Sequence, residues 1–241
     1  MRTEYQLYID GQWVSHADGC VRPDLEPATG KPLCQVHRAG PHDVERALAS
    51  AQAAFAEWSL TMADQRERIL LRAADILEQR EEEFMEVLVR ESGKAQAIAR
   101  GEFRGSVGVF RVAAGECSRH STDFLPPTKP GQMSMVVRQP LGVILGIAPF
   151  NYPLILSVKK LTYAIAAGNS FILKPSPHTP AISLLLGEIP RLTDDENGYG
   201  PCGKGFIAHV DIPAEVNRAF EALRREFPQH VRAANTLYAS K

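Results

Sequence analysis

Apolar and polar residues alternate over residues 5–9, Tyr-Gln-Leu-Tyr-Ile, and then meet Asp10-Gly11 ahead of Trp13 and Val14. That pattern predicts a short N-terminal β-ribbon closed by a tight turn. The stretch to Gly40 is rich in Pro and Gly and carries no clear period. From Pro41 the period lengthens, because Val44, Ala47, Leu48, Ala51, Ala54, Phe55 and Trp58 fall on one helical face while Asp43, Glu45, Arg46 and Glu57 take the other. A second helical region over about 63–90 sets Ile69, Leu70, Ala73, Leu77, Phe84, Val87 and Leu88 inward. A third, from Lys94 to about Ser121, contains Gly101, Gly105, Gly108 and Gly115, which cost helix propensity and permit close packing.

The Pro-rich segment 123–132 interrupts these helices, and Met133 to Gln139 alternates as a strand. A buried strand over Val143–Ala148, a helix over 154–167, a strand over Ser170–Lys174 and a helix over Pro180–Ile189 then follow. Strand, helix and strand in that order predict a βαβ unit. The fold class expected is α/β, a partial doubly wound, Rossmann-like parallel sheet with an N-terminal helical layer and β-ribbon segments. Residues 1–190 form one dinucleotide-binding portion in this reading. From Arg191 the chain turns acidic and glycine-rich, so 191–241 reads as a linker followed by a divergent tail. The tail offers a strand over Phe206–Ile212 and a helix with Val216, Ala219, Phe220, Leu223 and Phe227 inward.

Composition narrows the partners. Among 241 residues, 27 are basic and 28 acidic, for a formal charge of -1, which leaves no electrostatic footprint for nucleic acid or an anionic membrane. The most apolar run, Leu141–Ala148, is too short to span a bilayer, and the N-terminus carries no leader-like segment. Cys20, Cys34, Cys117 and Cys202 form no compact pattern, which predicts neither a disulfide framework nor a zinc site and fits a reducing cytoplasm. The acidic run 78–84 reads as solvated helix surface, and no metal site is expected.

Two strings carry the chemistry: Pro-Leu-Gly-Val-Ile-Leu-Gly-Ile-Ala-Pro-Phe-Asn-Tyr-Pro over 140–153, and Ala-Ala-Gly-Asn-Ser-Phe-Ile-Leu-Lys-Pro-Ser-Pro-His-Thr-Pro over 166–180. Asn151 alone is a common turn residue, but it follows the C-terminal end of a buried strand, where open α/β sheets bind ligands. Lys174 ends the next strand, near the place where dinucleotide folds read the adenine ribose. No G-x-G-x-x-G fingerprint follows a strand.

Both strings, and their order, resemble the NAD(P)-dependent aldehyde dehydrogenase superfamily, and the resemblance runs from about Tyr5 to Ile189. It implies oxidation of an aldehyde to a carboxylic acid, with NAD or NADP as cofactor. Asn151 would donate its amide to the oxyanion formed when a cysteine thiolate adds to the carbonyl. Lys174 would bond ribose hydroxyls, and Ile147, Pro149 and Phe150 would line the cofactor cleft. The stretch Pro126–Gln139 matches the family's oligomerisation ribbon, which implies a homo-oligomer. Many NAD-preferring relatives place a Glu three residues after the Lys; Pro177 stands there in this chain, which weakens strict NAD preference and allows NADP.

The family's general-base strand has no counterpart in the sequence, and its nucleophile lies farther beyond the Asn than the 90 residues that follow Asn151. Cys202, beside Lys204, is the single thiol in that stretch, with no general base beside it in sequence. The expectation is an aldehyde dehydrogenase family protein that lacks its catalytic domain, binds cofactor weakly or not at all, and is inactive alone. The alternative is a non-catalytic remnant serving as a weak nucleotide-binding or oligomerisation module.

Overall fold

A computed structural model of the chain describes residues 1–119 and 123–191. The tail strand over 206–212, the helix carrying Phe220, and Cys202 lie outside the described residues.

The chain opens with β1 (Glu4–Tyr5), β2 (Leu7–Ile9) and β3 (Gln12–Val14), and β2 pairs antiparallel with β3. Asp10 and Gly11 join them with φ of 54° and 73°, the left-handed pair that a two-residue primed turn requires. Two further strands occupy the segment that showed no period: β4 (Cys20–Glu26) and β5 (Lys31–Arg38), antiparallel, with β1 added in parallel to β5. Their alternation was hidden by Pro23 and Pro32 and by a register shift between Asp24 and Leu25.

Helix α1 (Pro41–Trp58) starts where the pattern predicts and keeps most of the inward face, although Phe55 is only partly buried and Asp43, expected on the polar face, is buried and accepts from the Ala17 and Gly40 N–H groups at 3.0 and 3.1 Å. The second helical region is two helices, α2 (Ala63–Gln79) and α3 (Glu81–Ser92), broken at Arg80. The apolar period continues across the break, so pattern alone does not reveal it. Arg80 there donates to Glu83 and to Glu188, each at 2.7 Å, with its guanidinium 5.5 Å from the Phe84 ring centre. Gly93 ends α3 with φ of 67° and its N–H on the Val89 carbonyl at 2.9 Å, a left-handed cap that glycine adopts without strain. Helix α4 (Gln96–Glu116) is shorter at both ends than the sequence suggested.

An exposed antiparallel ribbon follows, β6 (Asp123–Leu125) with β7 (Ser134–Val136). The strand expected over 133–139 is confined to its centre. Phe124 and Met133 are 68% and 74% exposed, and Leu125, Met135, Val136 and Val137 are exposed beside them.

Then comes the βαβ unit: β8 (Val143–Ile147), α5 (Pro153–Ala166) and β9 (Ser170–Lys174), followed by α6 (Pro180–Leu186) and α7 (Glu188–Arg191). The last helix expected from sequence is thus divided at Gly187. Strands β8 and β9 pair in parallel from Val143 with Ser170 to Ile147 with Lys174. Both faces of the pair are covered, as a parallel sheet requires. Val143, Leu145 and Ile172 pack with Leu7, Ile9, Val44, Ala47, Leu48 and Ala51 on one side. Ile144, Phe171 and Leu173 join the larger core made by the helical layer on the other. The Trp58 indole N–H donates to the Ile165 carbonyl at 3.1 Å, tying the end of α1 to the end of α5.

Gly146 interrupts the bulky residues of β8 for a steric reason. A Cβ there would stand 2.2 Å from the Phe171 ring. We expect Gly146→Ala to destabilise the fold by about 1–3 kcal/mol, the usual cost of overpacking a tight core. Chemical denaturation checks this, and an unchanged midpoint would show that the ring has room to yield.

Candidate functional site

Strands β8 and β9 end level with each other. Ile147 is the register partner of Lys174, and the Ala148 N–H donates to the Lys174 carbonyl at 2.9 Å. The turns that follow, 148–152 and 175–179, therefore leave the sheet side by side. The rings of Phe150 and His178 meet edge to face at 6.1 Å. By the alternation of a strand, Ile147 and Lys174 continue the face that bears Val143, Leu145 and Ile172. Of the residues singled out in the sequence, Ile147, Pro149, Phe150 and Lys174 are thus brought to one edge.

Their surroundings differ. Ile147 is 40% and Phe150 61% exposed, an apolar surface open to solvent, and the Asn151 side chain is exposed beyond them. Lys174 is half-buried, with its ammonium donating to the Pro175 carbonyl at 3.1 Å. Burial, assisted by the positive charge of Arg38, holds its pKa below the usual lysine range.

The backbone around Asn151 is fixed by two residues that the sequence reading did not single out for a role. Helix α5 starts with Pro153, and the next two N–H groups, of Leu154 and Ile155, donate to Oε1 of Glu102 at 2.9 and 3.2 Å. Glu102 belongs to α4, and its side chain is wholly buried. The Lys94 ammonium pairs with Glu102, donates to the Asn151 carbonyl at 2.7 Å and lies 4.5 Å from the Tyr152 ring centre. Carbonyl and helix start are held on either side of a side chain that remains exposed. A signal was available: Glu102 falls on the buried stripe of α4 between Ala99 and Phe103.

Helix α6 repeats the device after β9. It starts with Pro180, and the N–H groups of Ala181 and Ile182 donate to the Glu91 carboxyl from α3, the second at 3.0 Å. Among the described residues no lysine pairs with Glu91. Its carboxyl is hydrogen-bonded to that of Asp24 on β4, and burial pushes Asp24 up to about 6 and Glu91 well above the carboxylate range.

The described thiols, Cys20, Cys34 and Cys117, are not poised for attack on a substrate at this edge. Cys34 lies 3.8 Å from Asp24 Oδ2, and burial together with that charge pushes its pKa up. Burial raises Cys117 to about 11. Cys20 is exposed on β4. Among the described residues no thiol lies on β8, β9 or their following turns, and no group of acidic, His or Cys side chains could hold a metal.

The profile of the aldehyde dehydrogenase family matches residues 13–194. A malonate-semialdehyde dehydrogenase of Bacillus pumilus is 37% identical over 223 residues, covering 88% of this chain and 46% of that protein. A salicylaldehyde dehydrogenase from Pseudomonas putida G7 superimposes with a TM-score of 0.85 at 25% identity, covering 96% of this chain and 46% of the other. An NADP-dependent enzyme of E. coli gives 0.83 at 26% identity, with 90% and 44% covered. The chain spans somewhat under half the length of these relatives.

Two outcomes follow from the buried carboxyls. Glu102→Ala orphans two helix N–H groups and leaves the Lys94 charge without its partner, so we expect a loss of about 3 kcal/mol in chemical denaturation; a loss below about 0.5 kcal/mol would refute the clamp. An acid whose pKa is raised on folding binds its proton more tightly in the native state, so its stabilisation is complete at low pH and is lost as pH rises through the native value. Asp24 moves from 3.8 to about 6. The Tm of Asp24→Asn should therefore gain on that of the unaltered protein as pH rises across this window, whereas parallel profiles would refute the upward shift of Asp24.

Proposed function

The chain belongs to the aldehyde dehydrogenase family, and on that premise we propose that it supplies the nucleotide side and the oxyanion donor of an aldehyde-oxidising site. Residues 1–190 are the dinucleotide-binding portion in this reading, and 191–241 a separate linker and tail.

The observation that carries the proposal is the level ending of β8 and β9, which sets an apolar surface and a half-buried ammonium beside a turn with a clamped backbone. Those groups suit the ribose end of a dinucleotide. Ile147, Pro149 and Phe150 offer apolar contact, and Lys174 offers a donor for ribose hydroxyls. When bound, NAD(P) supplies the hydride acceptor. Asn151 acts at the carbonyl: its amide donates to the oxygen that gains negative charge as a thiolate adds to the aldehyde. A donor whose backbone is already fixed meets that charge with little reorganisation.

The buried thiols of Cys34 and Cys117 are protonated at neutral pH and packed in the core, so neither serves as the nucleophile. The thiolate and the general base come from outside the described residues, and the chain alone does not oxidise aldehydes. The exposed apolar ribbon β6–β7 is the surface through which copies would associate. No described helix is long and apolar enough to cross a membrane.

The test separates binding from turnover. With NAD or NADP and a panel of aliphatic and aromatic aldehydes, the chain should form no reduced nicotinamide. Calorimetric titration should still detect nucleotide, about 10-fold weaker in Lys174→Ala, the value of one charge-assisted hydrogen bond, and unchanged in Asn151→Ala. Binding indifferent to Lys174 would overturn the assignment of the edge, and turnover abolished by Cys202→Ala would make the chain a catalyst in its own right.

A further inference from the structure

The segment between β3 and β4, residues 15–19, is fastened to the junction of β5 and α1 by side chains that take no part in the nucleotide edge. The Ala17 N–H donates to both carboxylate oxygens of Asp43 at 3.0 Å, and the His42 N–H in the first turn of α1 donates to Asp18 Oδ2 at 3.1 Å. The approach is close: a Cβ on Gly40 would stand 2.2 Å from Asp18 Oδ1. Beside these contacts lies a pair of histidines, His16 of the segment and His37 of β5, with ring centres 5.0 Å apart.

The donors around the pair fix its protons. His37 Nδ1 faces the His16 backbone N–H at 3.2 Å and His16 Nδ1 at 3.1 Å. A backbone N–H can only donate, so His37 Nδ1 is a bare acceptor, and the ring proton lies on Nε2, donated to Glu4 Oε1 at 2.7 Å. Two bare nitrogens at this distance would repel, so the contact between the rings requires a proton on His16 Nδ1. His37 is buried, and an N–H that lost this acceptor would stay unpaired for as long as the segment remained in place.

A second proton on His37 reverses the arrangement, because Nδ1 then turns an N–H toward two other N–H groups. The charges nearby do not prevent this. Glu4 on β1 favours a charged His37, but its carboxylate is 54% exposed and water screens it. On α1, Asp43 is taken up by the Ala17 and Gly40 N–H groups and by Arg46 at 3.7 Å. The register partner of His37 on β4 is Val21, which carries no charge.

We propose that His16 and His37 form a pH-sensitive latch, which holds residues 15–19 against the start of α1 near neutral pH and releases them in mild acid. The fastened segment excludes a proton that the released imidazole accepts, so falling pH favours release. An imidazole in water titrates near pH 6.5, which sets the rise in the release constant between about pH 7.5 and about pH 5 at about 30-fold. The effect is carried inward by α1: Val44, next but one to His42, packs with Val143, Leu145 and Ile172 of the sheet.

The experiment follows the full chain, labelled with nitrogen-15, by NMR across that pH range. At the upper pH the long-range proton–nitrogen spectrum should show His37 with its proton on Nε2 and none on Nδ1. Exchange protection of the His16, Ala17 and His42 amides, corrected for the intrinsic rate, should fall about 30-fold at the lower pH, while that of β8 and β9 changes by less than about 2-fold. In His37→Asn, whose side-chain oxygen can accept in place of Nδ1 and does not titrate, the fall should also stay below about 2-fold. A proton on His37 Nδ1 at the upper pH, or undiminished protection of the His16, Ala17 and His42 amides at the lower, would overturn the latch, and both are read on the unaltered protein. An equal fall in His37→Asn would overturn it in favour of another titrating group, and an equal fall in β8 and β9 in favour of global unfolding.

Discussion

Helices α5 and α6 both begin with a proline inside the protein, so the N–H groups of their first turns face buried space rather than water. Each helix is started by a glutamate delivered from the helical layer, Glu102 for α5 and Glu91 for α6. The rest of the arrangement depends on this. The carboxylates satisfy donors that would each cost about 1–3 kcal/mol unpaired, and they fix α3 and α4 against the two helices that flank β9. The two differ in how the buried charge is managed. Lys94 pairs with Glu102, whereas Glu91 is hydrogen-bonded to the Asp24 carboxyl and burial disfavours the charged form of both.

That difference divides the edge of the sheet into two environments. Around Asn151 an ion pair between Lys94 and Glu102 holds the backbone while the side chain faces outward. Around the turn after β9 the support is a pair of buried carboxyls whose charged forms burial disfavours. The first suits a group that must be positioned in advance.

Much of this was legible in the sequence, and the exceptions have physical causes. Helix α1 and strands β8 and β9 have clean periods bounded by Pro or Gly, and the predicted bounds differ from the observed ones by at most one residue. Strands β4 and β5 could not be read because a bulge breaks their register and most of β4 faces solvent, which leaves no alternation to see. The break at Arg80 is invisible to periodicity because both helices bury the same stripe. Asn151 and Lys174 stood out as polar residues at the ends of apolar strands. Lys94 and Glu102 did not, since a lysine and a glutamate on a helix look like surface until one notices that position 102 falls on the buried stripe. The approach of β4 and β5 to the turn after β9 was out of reach, because it joins residues 22 and 38 to 177 and 178 through strands the pattern did not reveal.

The smaller core, which joins Leu7 and Ile9 to Val143, Leu145 and Ile172 across α1, also sets an order of events during synthesis. At ~5–20 residues per second, Ile172 leaves the ribosome some ~6–25 s after Leu48. Throughout that interval the apolar face of α1 and the N-terminal ribbon have no sheet to cover them. The nascent chain therefore carries an adhesive first quarter until β9 arrives, and its yield in a cell depends on what shields that face in the meantime.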